Sequence, residues 1–145
     1  MCGIFSGQTS HFNYHDFYLA LQKINHRGPD SNQLISFDNN FFGHTRLSIN
    51  DIEGGQQPIF NEDKSIVAIV NGEFYNFEEI RDKLIKEGHN FSTQSDSEIL
   101  IHLYEKYSIE CLNYLHGEFA FSLYDKNKKR WFCARDRMGI RPLLY

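Results

Sequence analysis

Apolar and polar positions along the chain change period several times, and each change marks an element. Cys2 to Ser6 is a short apolar run that predicts a strand. Tyr14, Phe17, Tyr18, Leu21 and Ile24 recur at helical spacing and predict an amphipathic helix ending near His26-Arg27-Gly28-Pro29. Phe41 to Ile49 (FFGHTRLSI) predicts extended chain, followed by a Gly54-Gly55 turn and a short piece ending at Pro58-Ile59-Phe60. Asn61 to Lys64 has turn chemistry, and Ser65 to Val70 is a β-branched run expected to be a buried strand.

Two helices with capping signals follow. Asn76 with Glu79 predicts a capping box, Phe77, Ile80 and Leu84 share a face, and Gly88 suits a left-handed stop. Ser95 with Glu98 predicts a second capped start, leading into Ile99, Leu100, Leu103, Tyr104 and Tyr107. The chain then alternates through Gly117 to Asp125 and Arg130 to Asp136, which predicts an antiparallel hairpin. Partly segregated helices and strands make the expected class α+β, with helices packed on antiparallel sheet.

Composition narrows the function classes. The 145 residues suffice for one domain, and 41% hydrophobic with 23% charged residues is ordinary for a globular chain. The net charge is −4, and the only basic cluster, Lys126 to Arg130, reads as a solvated turn, so no nucleic-acid partner is expected. The longest apolar run, Ile66 to Val70, is too short to cross a bilayer, so no membrane partner is expected either. Three distant cysteines give no disulfide framework, and the N-terminus has no signal-peptide pattern, so a cytoplasmic location is expected. Of the seven histidines only His11 and His15 stand at helical spacing, HExxH is absent and no cysteine lies near; no metal is expected.

Four features carry candidate chemistry. Cys2 directly follows Met1. With Met1 removed it offers a thiol of pKa about 8.5 beside an α-amine of pKa about 8, a nucleophile and a base on one residue; otherwise it is a buried cysteine that starts a strand. Asn71-Gly72 reads as a type I′ turn or, because a helix cap follows so soon, as a strand-to-helix connection whose amide and N–H suit an oxyanion. Arg46, in an apolar segment, needs a carboxylate, either internal or from a ligand. Asp96 is a first-turn carboxylate that the helix dipole favours whatever its function.

In order along the chain, MCGI, HRGPD at 26–30, GHTRLSI at 43–49, Gln57-Pro58, VNGEFYN at 70–76, SDSE at 95–98, GEFAFSLYD and ARDRMGIRPL at 134–143 form a known pattern. It resembles the class II glutamine amidotransferase domain of the N-terminal nucleophile hydrolases, and RGPD, TRLSI and NGEFYN resemble the asparagine synthetase type of it. The resemblance implies a four-layer αββα sandwich of two antiparallel sheets across residues 1–145, in a domain expected to continue beyond Tyr145. It implies that Cys2 attacks the carboxamide of L-glutamine, that Asn71 and Gly72 hold the oxyanion, and that Arg46 clamps the substrate carboxylate. Asp96 and Glu73 would hold its ammonium, and Leu47, Ser48, Ile49 and Asn50 would line the pocket. No cofactor is implied for this domain. ATP and Mg would serve a C-terminal synthetase domain or subunit whose SGGxDS-type loop does not occur in these residues, and a homodimer is left open.

Overall fold

A computed structural model describes residues 1–49, 51 and 54–145. Two sheets form its centre, each antiparallel in every pairing. The first has the order β1-β3-β2, from β1 (Gly3–Gln8), β2 (Ser31–Phe37) and β3 (Asn40–Arg46). The second has the order β4-β5-β6-β7, from β4 (Ile59–Phe60), β5 (Ile66–Phe74), β6 (Gly117–Asp125) and β7 (Arg130–Arg135). Helix α1 (Tyr14–Ile24) covers the outer face of the first sheet, and α2 (Phe77–Lys86) with α3 (Ile99–Tyr107) covers that of the second. The expected αββα order of layers is therefore present.

Strand alternation explains how the layers stick. Along β5, Val67 and Ile69 face the other sheet, where they meet Phe42 with Ile4 and Ile35 around it, and Tyr124 and Trp131 of their own sheet complete the cluster. The alternate residues Ile66, Ala68, Val70 and Phe74 pack under the helices with Leu84, Ile99, Leu100 and Leu103. This two-sided burial is why the segment reads as a continuous apolar run in the sequence. On the far side, the Phe17 ring of α1 stacks between Phe5 and Phe41, at centroid distances of 5.8 and 3.7 Å. Each fully buried core side chain, such as Phe42 or Leu84, contributes roughly 1.5–3 kcal/mol by leaving water. Among the described residues, no helix is long and apolar enough to cross a membrane.

Several local expectations change. Strand β2 (SNQLISF) gave no clear alternation in the sequence, and it forms by pairing along its whole length with β3. The expected capping box at Asn76 is absent: its side chain donates no cap and bridges instead to the Tyr114–His116 turn, through Tyr114 O at 3.0 Å and His116 N–H at 3.3 Å. Ser95 does cap its turn by accepting from Ser97 N–H, but Glu98 closes no box there. The Glu98 carboxylate turns back to take the N–H and hydroxyl groups of Ser92 and Thr93, at 2.6–2.8 Å. Asp96 lies in a short 3-10 turn, Asp96–Glu98, that leads into α3.

Asn71 and Gly72 form neither a tight turn nor a connection. They lie inside β5, paired with Ala120 and Phe119 of β6, and the strand runs on to Phe74. Gly72 has φ +150°, and a Cβ there would stand 2.0 Å from the Glu118 carbonyl oxygen, so only glycine lets β6 approach this closely.

Candidate active site

The inter-sheet faces carry three rows of alternating side chains that begin apolar and become polar at one end. Phe42, His44 and Arg46 form the row on β3, and Val67, Ile69 and Asn71 the row on β5. Ile4 continues back to Cys2 at the start of β1, where Gly3 pairs with Thr45. Cys2, Arg46 and Asn71 therefore emerge at the same end of the sandwich. They line one cleft of about 110 Å³, together with Leu47, Ile49, Gly72, Glu73 and Asp96. The candidate residues named from the sequence are thus brought together, with two exceptions: Ser48 is outside the lining, and Asn50 lies outside the described residues.

The sulfur is held by backbone. Cys2 Sγ lies 3.4 Å from Leu47 N–H, which donates to it, and 3.8 Å from Leu47 O. Arg27 Nε donates to Cys2 O at 3.1 Å, and Gly3 N–H donates to Thr45 Oγ1, whose hydroxyl donates in turn to Ile24 O. Two contacts set the loop after β3: Ser48 N–H donates to Asp30 Oδ2 at 2.6 Å, and Asp30 N–H to Arg46 O at 3.0 Å. Gly28 belongs to the same brace, for a Cβ there would meet the Thr45 carbonyl oxygen at 2.3 Å. Met1 precedes Cys2 and lines the cleft, so its removal both frees the amine and widens the opening.

The cleft has a cationic and an anionic wall. Arg46 is 4% exposed, and its Nη2 donates to Asp51 O at 2.5 Å. Gly55 packs against that guanidinium, with room for no side chain between. Opposite, Asp96 is buried and its Oδ2 accepts Phe74 N–H at 2.8 Å. Burial pushes the Asp96 carboxyl above its ordinary range, and the negative charge of Glu73 adds to this. A cation bound beside these carboxylates would offset the upward shift by favouring the ionised form. Asn71 is 3% exposed, and its Oδ1 has no hydrogen-bond partner among the described residues. A buried amide oxygen without a partner is uncommon and leaves the side chain uncommitted to the fold.

His44 sits one step inside Arg46 on the β3 row and hydrogen-bonds the Val70 backbone. Burial, with a contribution from the nearby Arg46 charge, lowers its pKa from 6.5 to about 4. Between those values the unfolded chain binds a proton that the folded one refuses, so stability is full above pH 6.5 and falls as pH drops toward 4. At about 1.4 kcal/mol per unit, the loss is on the order of 3 kcal/mol. Urea unfolding of the wild type and of His44→Gln, at neutral and acid pH, measures it. The glutamine variant should lose distinctly less stability on acidification, and equal losses would refute the assignment.

Several supporting residues had no role assigned from sequence. Gln57 is buried and accepts Val70 N–H on Oε1 at 2.6 Å, with Nε2 3.5 Å from Ser97 Oγ, so it ties β5 to the Asp96 turn. Arg141 lines the cleft and pairs with Glu118 at 3.3 Å. Asp136 positions it by accepting the N–H groups of Ile140 and Arg141 at 2.8 and 2.9 Å. Arg27, Asp30 and Gln57 stood within quoted motifs, which was the available signal.

The fold agrees with comparisons to known proteins. The glutamine amidotransferase domain family matches residues 1–145. Asparagine synthetase [glutamine-hydrolyzing] 2 of Oryza sativa subsp. japonica is 45% identical over 122 residues, covering 84% of this chain and 20% of its own length. Asparagine synthetase [glutamine-hydrolyzing] 2 of Bacillus subtilis is 46% identical over 122 residues, covering 84% of this chain and 16% of that protein. This chain thus spans about a fifth or less of the length of these curated relatives. The glutamine phosphoribosylpyrophosphate amidotransferase structure from B. subtilis superposes with a TM-score of 0.81 at 20% identity, covering 96% of this chain and 38% of that one, which establishes a shared fold. The chain belongs to the glutamine amidotransferase domain family.

Proposed function

We propose that this chain is the glutaminase unit of a glutamine-dependent asparagine synthetase, hydrolysing L-glutamine to glutamate and ammonia. The observation that carries the reading is the convergence of the Cys2 sulfur, the Arg46 guanidinium, the Asn71 amide and the Asp96 carboxylate on one cleft. A zwitterionic head group needs a fixed cation and a fixed anion, and the two walls supply them.

After Met1 is removed, the Cys2 amine accepts the thiol proton and the thiolate attacks the glutamine carboxamide carbon. The oxyanion that forms is stabilised by the Asn71 amide and Gly72 N–H. Collapse of the tetrahedral species transfers the proton to the departing nitrogen, releasing ammonia and leaving a γ-glutamyl thioester. Water, deprotonated by the same amine, attacks that thioester, and glutamate leaves as the thiol is regenerated. The ammonia would serve a synthetase domain or subunit that uses ATP and Mg to activate aspartate, in the cytoplasm where a free thiol survives. Relatives named as asparagine synthetases support aspartate as the acceptor.

A glutamine analogue bearing a chloromethyl ketone in place of the carboxamide tests the nucleophile directly. Peptide mass spectrometry should find a single adduct on a peptide that begins at Cys2. An adduct confined to the exposed Cys133, or none at all, would overturn the reading.

A further inference from the structure

On the helix-covered side of the second sheet, a separate cleft is lined by Glu62, Glu87, His89, Glu105 and Lys106, none of which lines the Cys2 cleft. At its floor two imidazoles, His89 of the lining and the buried His102 behind it, converge on one carboxylate oxygen. Glu105 Oε2 lies 3.0 Å from His102 Nδ1 and 3.5 Å from His89 Nδ1. One donor atom from each of His89, His102 and Glu105 lies within 4.8 Å of the others. Helical spacing on α3 puts His102 and Glu105 on one face, and the left-handed Gly88 that ends α2 turns His89 in toward them.

We propose that His89, His102 and Glu105 form a binding site for a divalent transition-metal ion of the zinc type. The two pairs on Glu105 Oε2, at 3.0 and 3.5 Å, bracket the roughly 3.3 Å that separates two ligands of one tetrahedral zinc, each about 2.0–2.1 Å from the ion. Two imidazoles and one carboxylate select a borderline-soft ion over magnesium or calcium, which prefer all-oxygen shells. With His102 buried and His89 and Glu105 facing the cleft, three protein ligands leave a fourth position on the cleft side for water.

The surroundings are those of a built site. Metal-bound imidazoles are commonly oriented by a carboxylate on their other nitrogen, and His102 Nε2, buried and without a hydrogen-bond partner, lies 3.8 Å from Glu98 Oε1. Glu98 is itself immobilised by the groups it accepts from Ser92 and Thr93. The second oxygen of Glu105 accepts Asn61 Nδ2–H at 2.9 Å, which leaves Oε2 aimed at both imidazoles. Phe91 lies against the His102 ring, 4.4 Å between centroids, and fixes its plane. Glu62 lends the mouth negative charge, while Glu87 is paired with Lys106. An ion here would tie the α2–α3 connection to α3, whose leading turn carries Asp96.

The pairing was invisible in sequence because His89 stands thirteen positions before His102 and matches no ligand spacing. The test is a Co²⁺ titration of the metal-stripped chain, followed by displacement with Zn²⁺, in the wild type, His89→Gln and Glu105→Gln. His89 is a partly exposed loop residue, so its variant should keep the wild-type far-ultraviolet dichroism. One cobalt should be taken up, with visible ligand-field bands and no thiolate charge-transfer band, and each variant should bind at least about tenfold more weakly. Absence of saturable uptake, a thiolate band, or undiminished affinity in both variants would overturn the proposal.

Discussion

A chain carrying Cys2→Ala is expected to release no glutamate from glutamine above background, a loss of at least about 10⁴-fold. In the proposed mechanism the Cys2 sulfur forms the bond to the substrate, and neither Cys111 nor Cys133 lines the cleft. Cys111 is wholly buried in the helix-side core, where burial pushes its thiol up to about 12, so it offers no thiolate. The substitution should leave the fold intact, because the bonds that anchor this end are made by backbone: Arg27 to Cys2 O and Gly3 N–H to Thr45. Calorimetry should therefore still detect glutamine binding, since Arg46, Glu73 and Asp96 are unchanged. Coupled assay of glutamate release checks the first part, and wild-type turnover in the variant would end the nucleophile assignment.

Asn71→Ala should lower kcat by roughly 10²–10³-fold while KM changes little, because the donor acts on the oxyanion and not on the bound substrate. That factor corresponds to about 3–4 kcal/mol of transition-state stabilisation. Stability should barely move, since the Asn71 Oδ1 has no partner to lose among the described residues. The split separates two roles. A purely structural Asn71 would show a lowered Tm with kcat preserved. Asn71→Asp, of nearly the same shape, should also lose kcat, because a carboxylate beside the forming oxyanion repels it.

How much of this could be read in the chain depends on the range of the interactions involved. The long two-sided strand β5 and the helix faces of α2 and α3 follow from local periodicity, and the layers they build were expected. Strand β2 was not seen, because its half-exposed residues gain strand character only from pairing with β3. Asn76 and Glu98 both look like cap residues in one dimension and spend their side chains elsewhere, Asn76 on the Tyr114–His116 turn and Glu98 on Ser92 and Thr93. Asn71-Gly72 has hairpin chemistry yet continues a strand, because β6 pairs with it throughout.

The cleft residues were named mainly through motifs, and the alternation of their strands explains why they meet. Cys2, Arg46 and Asn71 are each the next outward step of a row that begins in the inter-sheet core, a regularity present in the sequence once the strands are known. Gln57 and Arg141 stood within motifs too, but their contacts, Gln57 with Val70 and Arg141 with Asp136 and Glu118, follow from no periodicity.

Since each reactive group extends a buried row, the gap between sulfur and amide is a direct readout of how far apart the two sheets sit. Trimming Phe42 or Ile69 would thus do more than soften the interior. By letting the sandwich relax it would detune the chemistry at its rim, so interior volume and turnover are tied to one dimension of the molecule.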